Sequence, residues 1–234
     1  MRYEINEKLF SDIPGLPIAY WLSNQAIMSF KNTSLANCGV AQEGIKTGNN
    51  DVFLRYWFEV TIDKTNINGD NKKKWLKTSK AGENRKWYGS HYIVTNFEDN
   101  GQEMLKTGHA SLTGAKNFFK PAITWNRIGT ENLSFRYLPN DFLPNMGGLC
   151  FYPNTVSDFD YILAFLNSSV SHFQLNVLNP TMSFPPGTIN SLSIKYDSNR
   201  FKCVDSIAQE CINFAQQNWD SFETSWDFKK HPLI

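Results

Sequence analysis

The chain has 234 residues, of which 41% are hydrophobic and 19% charged, and its formal net charge is +1. That balance excludes a disordered polyelectrolyte and a strongly basic, free-standing nucleic-acid binder, though it allows local basic patches. The length suffices for one substantial core.

In chain order, Ile13-Pro14-Gly15-Leu16-Pro17 reads as a rigid opening turn and residues 18–30 as a short aromatic helix. Thr47-Gly48-Asn49-Asn50 makes a turn into a strand over 53–62, where β-branched and aromatic residues dominate. Residues 63–90 carry eight cations (Lys64, Lys72, Lys73, Lys74, Lys77, Lys80, Arg85, Lys86) against Asp63, Asp70 and Glu83, a local excess of five. Residues 66–71 are a loop tip, 91–97 a strand and 98–117 a loop. Residues 122–128 and 133–137 form a strand pair around Gly129-Thr130. Three prolines and Gly147-Gly148 make 139–153 irregular.

The clearest helix starts at a cap, Thr155 or Ser157, with Asp158 and Asp160 in its first turn. It places Phe159, Ile162, Leu163, Leu166, Val170, Phe173 and Val177 on one face. Asn167-Ser168-Ser169 is a candidate break, and Asn179-Pro180 ends the helix. Phe184-Pro185-Pro186-Gly187 bends into a short strand over 189–194. A second amphipathic helix covers 204–216, and the tail from Trp219 is aromatic. The expected class is α+β: mixed twisted sheets with flanking helices, in a single domain over 1–234. Its core spans about 13–196, closed by the helix and tail of 197–234.

The four cysteines, Cys38, Cys150, Cys203 and Cys211, form no CxxC pair and read as reduced, mostly buried thiols. The first eight residues hold no apolar signal core, and no apolar run approaches the ~20 residues needed to span a bilayer. A cytoplasmic protein is expected. His91, His109, His172 and His231 are scattered, so structural roles outweigh metal ligation. GxSxG, Walker A and GxGxxG are absent from the sequence. Asn179-Pro180-Thr181-Met182 departs from the Asn-Pro-Pro-aromatic motif of amino-methyltransferases, whose ring stacks on a flipped base. Here Thr181 and Met182 replace the second proline and the ring, and a helix stop is the better reading.

Two words remain. Gly44-Ile45-Lys46-Thr47-Gly48-Asn49-Asn50-Asp51 leads to Arg55, and Lys80-Ala81-Gly82-Glu83-Asn84-Arg85-Lys86-Trp87-Tyr88-Gly89 follows about thirty residues later. A charge run alone is usually a solvated loop. Interleaved Trp75, Trp87 and Tyr88 move the balance toward a surface for a polyanion. Lys72, Lys73, Lys74, Lys80 and Lys86 suit phosphates, joined by Lys46 and Thr47. Asn49 and Asn50 suit phosphate or an adenine edge, Arg55 a base or a phosphate, and Arg85 a guanine edge. Trp87 and Tyr88 suit sugar or a distorted base step. Double-stranded DNA is the expected partner.

These words, with Ile13-Pro14-Gly15, Ala19-Tyr20-Trp21, Ile123-Thr124-Trp125, Phe135-Arg136-Tyr137, the Leu163–Ser168 stretch and Trp219-Asp220-Ser221-Phe222, resemble the region after the catalytic domain in BREX-type, PglX-like adenine-specific DNA methyltransferases of phage defence. The likeness extends more loosely to recognition domains of type IIG enzymes and type I specificity subunits. It implies a target-recognition fold that selects the DNA site for a catalytic domain or subunit. S-adenosylmethionine is expected only in that catalytic domain, whose cofactor loop and Asn-Pro-Pro-Tyr motif these 234 residues lack. The chain is thus expected to be non-catalytic and without cofactor, and other defence-system proteins are possible partners. A rival reading is a protein-interaction module that docks a defence-complex subunit through the tail at 219–228.

Overall fold

The computed structural model describes residues 7–129 and 133–234. The expected features at 1–8 and Gly129-Thr130 fall partly outside them. In chain order the helices are α1 (Asn24–Ser29), α2 (Asn50–Phe53), α3 (Glu98–Lys106), α4 (Phe159–Leu166), α5 (Ser169–Leu178), α6 (Pro186–Asn190) and α7 (Phe201–Asp220). The strands are β1 (Thr33–Ser34), β2 (Gly39–Gln42), β3 (Leu54–Tyr56), β4 (Trp75–Ser79), β5 (Ile93–Asn96), β6 (Ala122–Asn126), β7 (Phe135–Leu138), β8 (Leu143–Pro144), β9 (Gly148–Pro153) and β10 (Ser193–Ile194). The class is α+β, as expected.

One antiparallel sheet has the order β2-β9-β6-β7; a second, mixed sheet has the order β3-β5-β4-β8, with β4 and β8 parallel. β1 and β10 make a separate ribbon. The expected pairing of 122–128 with 133–137 is present, with Ile123 opposite Tyr137 and Thr124 opposite Arg136. The main core lies between the first sheet and the α4–α5 pair, and contains Trp125, Phe135, Leu149, Phe151, Ile162, Leu163 and Leu166. α7 closes it through Ile212 and Trp219.

Several expected boundaries move. The 139–153 stretch is not irregular: it holds β8 and β9, and β9 pairs with both β2 and β6. Gly-Leu-Cys-Phe-Tyr is buried on both faces, so it shows no alternation to mark it as a strand. The basic stretch likewise contains β4, whose Lys77 is buried and paired with Asp141. Residues 53–62 form only the short β3 before 3-10 turns, and α3 occupies part of the expected loop at 98–117. The helix expected over 18–30 is confined to α1, capped by the Ser23 side chain. Residues 189–194 divide between α6 and β10. Among the cysteines, Cys38 and Cys150 are buried, but Cys203 is exposed.

The break at 167–168 is real and carries weight. Ser168 caps α5 by accepting from the Ser171 amide. Asn167, buried, acts as a surrogate strand: its Oδ1 accepts from the Phe135 amide at 3.1 Å and its Nδ2 donates to the Phe135 carbonyl at 2.9 Å. Gln174 does the same for Ser193, at 2.8 and 3.0 Å. Two amide side chains therefore dock the helical pair onto strand backbone. Asn167→Ala should cost about 1–3 kcal/mol in chemical denaturation, since it leaves the buried Phe135 amide unpaired, while the Phe135 carbonyl keeps the Trp87 amide as donor. A loss below ~1 kcal/mol would contradict this account.

Candidate nucleic-acid interface

The two sheets meet at a tight junction. The Ser79 hydroxyl donates to the Gly148 carbonyl at 2.9 Å and accepts from the Asn145 amide at 3.2 Å. The Ile45 amide donates to Pro144, and the Met146 amide donates back to Ile45. No side chain fits at two points: a Cβ on Gly44 would sit 2.1 Å from the Pro144 carbonyl, and one on Gly148 would sit 2.8 Å from Ser79. The 44–46, 79–80 and 144–148 segments are thereby fixed against one another.

Above this junction opens a cleft of about 340 Å³. Lys46, Thr47, Gly48 and Asn50 line it from the first word, Lys80 and Ala81 from the second, with Arg127, Asn145 and Gly147 completing the wall. Three cations and no carboxylate face it. Asn50 and Lys80 also border a shallower hollow that contains Arg55 and Tyr56, with Asp51 and Glu59. Lys80 is half-buried, and that burial lowers its pKa; among the described residues it makes no side-chain hydrogen bond or ion pair. A desolvated cation without a counter-ion favours an incoming anion.

The expected DNA-contacting residues separate into groups. Lys46, Thr47, Asn50 and Lys80 converge at the cleft. Thr47–Asn50 is less a turn before a strand than the start of α2: Asn49 Oδ1 caps it by accepting from the Val52 amide, and the buried Thr47 hydroxyl donates to Asn50 Oδ1 at 2.6 Å. Arg55 donates to the carbonyls of Asp51 and Leu54. Lys72, Lys73 and Lys74 precede β4, whereas Lys80 follows it, so the strand separates them by roughly 20 Å at ~3.3 Å per residue. Lys73 is bound to the Asp63 carbonyl and Lys74 to Glu98.

The rest of the second word turns inward. Arg85 donates to Asn218 at 2.5 Å and lies over the Trp219 ring. Lys86 donates to the Asn167 carbonyl at the end of α4. Trp87, half-buried at φ +73°, exchanges backbone hydrogen bonds with Phe135 and Tyr137. Tyr88 corrects the expectation of a ring against sugar: it is 6% exposed and belongs to the core. Below the loop, Arg136 is 1% exposed and lacks a carboxylate partner among the described residues. It donates to Asn126 at 2.8 Å and more weakly to the carbonyls of Glu83 and Arg85. Burial pulls its pKa down to about 10, so it stays cationic at neutral pH and clamps the loop. The aromatic tail is partly internal: Trp219 is buried and Trp226 packs on Phe142 and His91, whereas Phe222 is exposed.

In sequence Arg127 is hidden among the sheet positions of the strand expected to reach residue 128, whereas β6 ends at Asn126. Its only sequence signal was a cation at the end of an apolar strand.

Comparison with known proteins follows the same lines. The chain is similar to a segment of adenine-specific methyltransferases. It is 35% identical over 230 residues to adenine-specific methyltransferase BrxX of Escherichia coli O9:H4 (strain HS), covering 96% of this chain and 18% of that protein. It is 33% identical over 246 residues to adenine-specific methyltransferase PglX of Lacticaseibacillus casei (strain Zhang), covering 99% of this chain and 20% of that protein. The chain thus spans about a fifth of the length of the curated relatives it matches. No protein-family model matches it. Among the described residues no helix is long and apolar enough to cross a membrane, and no group of His, Cys, Asp and Glu could hold a metal ion.

His91, beside the 80–89 loop, is fully buried among Tyr88, Phe142, Trp219 and Trp226, and neither ring nitrogen has a hydrogen-bond partner among the described residues. Burial, reinforced by Arg136 and Lys77, pushes its pKa down to about 3. The unfolded chain takes up this proton near pH 6.5. The neutral imidazole's contribution is therefore complete above pH 6.5 and is lost as pH falls from 6.5 toward 3. His91→Phe should shrink the drop in urea midpoint between pH 7.5 and pH 4.5; an unchanged drop would contradict the assignment.

Proposed function

We propose that this chain is the DNA-recognition part of an adenine-specific methyltransferase of phage defence, non-catalytic by itself and acting with a catalytic domain or subunit that binds S-adenosylmethionine. The observation that carries the reading is the convergence of Lys46, Thr47, Asn50 and Lys80, with Arg127, on a cleft without a facing carboxylate. The similarity to BrxX and PglX supports it independently.

The chemistry favours phosphate over base at the cleft. The side-chain carbonyls of Asn49 and Asn50 already accept internal hydrogen bonds, so these amides offer mainly N–H donors. Lysines contribute point charges that set register without reading sequence. In this reading Arg85, Lys86, Trp87 and Tyr88 hold the loop in place, with Lys80 at its exposed end. Lys72, Lys73 and Lys74 are outlying contacts at most.

The protein-docking reading keeps one specific observation in its favour. Tyr56 and Phe58 stack in parallel at 5.3 Å and are 48% and 60% exposed, and Ile62, four residues further along the chain, is exposed too. Such rings suit a protein anchor; of the tail rings, Trp219 and Trp226 are used internally and Phe222 is exposed.

Duplex binding against salt tests the proposal. Affinity should fall in the non-specific range of ~10⁻⁴–10⁻⁶ M at physiological salt. Lys46→Ala and Lys80→Ala should each reduce the salt slope by about one, and Lys74→Ala should reduce it by less. Absence of duplex binding at low salt, with capture of a partner protein that Phe58→Ala abolishes, would replace the DNA reading with the docking one.

A further inference from the structure

We propose that Arg127 is a phosphate contact held in reserve, and that in the free protein the Glu43 carboxylate occupies the place a phosphate oxygen takes when DNA binds. This rests on the reading of the cleft as a DNA site.

Arg127 follows β6 and lines the cleft with Lys46 and Lys80. Its backbone is fixed on both sides: its amide donates to Gly147 at 3.1 Å, and its carbonyl accepts from Phe184 at 2.8 Å. The root of the side chain is therefore rigid, and only the guanidinium can change partner. That guanidinium donates through Nη1 to Glu43 Oε1, which engages one of its five N–H donors. The two side chains are 34% and 36% exposed, so water screens the pair and it holds weakly. A carboxylate offers a guanidinium the same kind of paired oxygens that a phosphate offers. A duplex in the cleft brings a phosphate to Arg127 as a competitor, and Glu43 yields.

Glu43 then acts as an affinity-setting residue. It sits at the end of the 39–42 strand and lines neither cleft, yet it reduces the effective charge of the wall that holds Lys46 and Lys80. It makes cleft binding an exchange of one anion for another, which lowers affinity for any polyanion.

The test compares duplex affinity near 0.1 M salt for the unmodified chain, Glu43→Gln, Arg127→Ala, the double variant, and Glu210→Gln. The last is an equal charge change at an exposed α7 position that lines neither cleft. Glu43→Gln should tighten binding about three- to tenfold, whereas Glu210→Gln should stay within about twofold, because distant charges are screened beyond ~10 Å at this salt. The gain should vanish when Arg127 is also Ala. Binding by Glu43→Gln no tighter than by Glu210→Gln, or a gain that survives Arg127→Ala, overturns the exchange while the DNA reading stands. If no version binds at low salt, both fail together. If Glu43→Gln binds where the unmodified chain does not, both are supported.

Discussion

The candidate site depends on a steric constraint. The backbone of β9 at Gly148 lies against β4 at Ser79, and Gly44 lies against Pro144, with no room for a side chain at either glycine. Ser79 seals this contact by donating to one partner and accepting from another. The consequence reaches the surface within one residue. Lys80 emerges at the junction, Lys46 emerges beside it, and the loop to α2 follows. Residues more than thirty positions apart in sequence share a wall because two sheets touch there.

Electrostatics then sorts the cations that the sequence alone presents as equals. Lys74 is paired with Glu98, Lys77 with Asp141, and Arg85 is held by Asn218 and the Trp219 ring. Each has already exchanged water for protein, and freeing it to meet DNA would cost part of that exchange. Lys80 is the opposite case: burial has depressed its pKa, and no counter-ion among the described residues offsets the loss. The near-zero net charge of the chain is therefore compatible with a locally cationic cleft. Arg136 adds a cation that never reaches the surface and instead fixes the loop from below.

The α+β class, the antiparallel pair at 122–138 and the break at Asn167-Ser168 were legible because alternation, helical spacing and capping residues are local signals. β9 was not, since a strand buried on both faces shows no alternation and its flanking prolines suggested irregular chain. β4 was hidden because Lys77 reads as surface until Asp141, 64 residues away, is brought beside it. At the site, the first word divides between exposed Lys46, Asn49 and Asn50 and buried Ile45 and Thr47, and the second, which reads as one continuous surface, faces the cleft only at its start. A ring beside cations looks the same in sequence whether it is exposed, as Tyr56 is, or core, as Tyr88 is. Arg127 carried almost no signal, because its role comes from the end of β6 meeting the 145–147 turn.

The central claim is that DNA lies over the junction, against Lys46 and Lys80. Lysine footprinting with an amine-reactive label, read by mass spectrometry with and without duplex at low salt, tests it most directly. The account predicts that duplex protects Lys46 and Lys80 while Lys202 and Lys230 keep their reactivity. Unchanged labelling at Lys46 and Lys80, with protection at Lys72 and Lys73 instead, would contradict it.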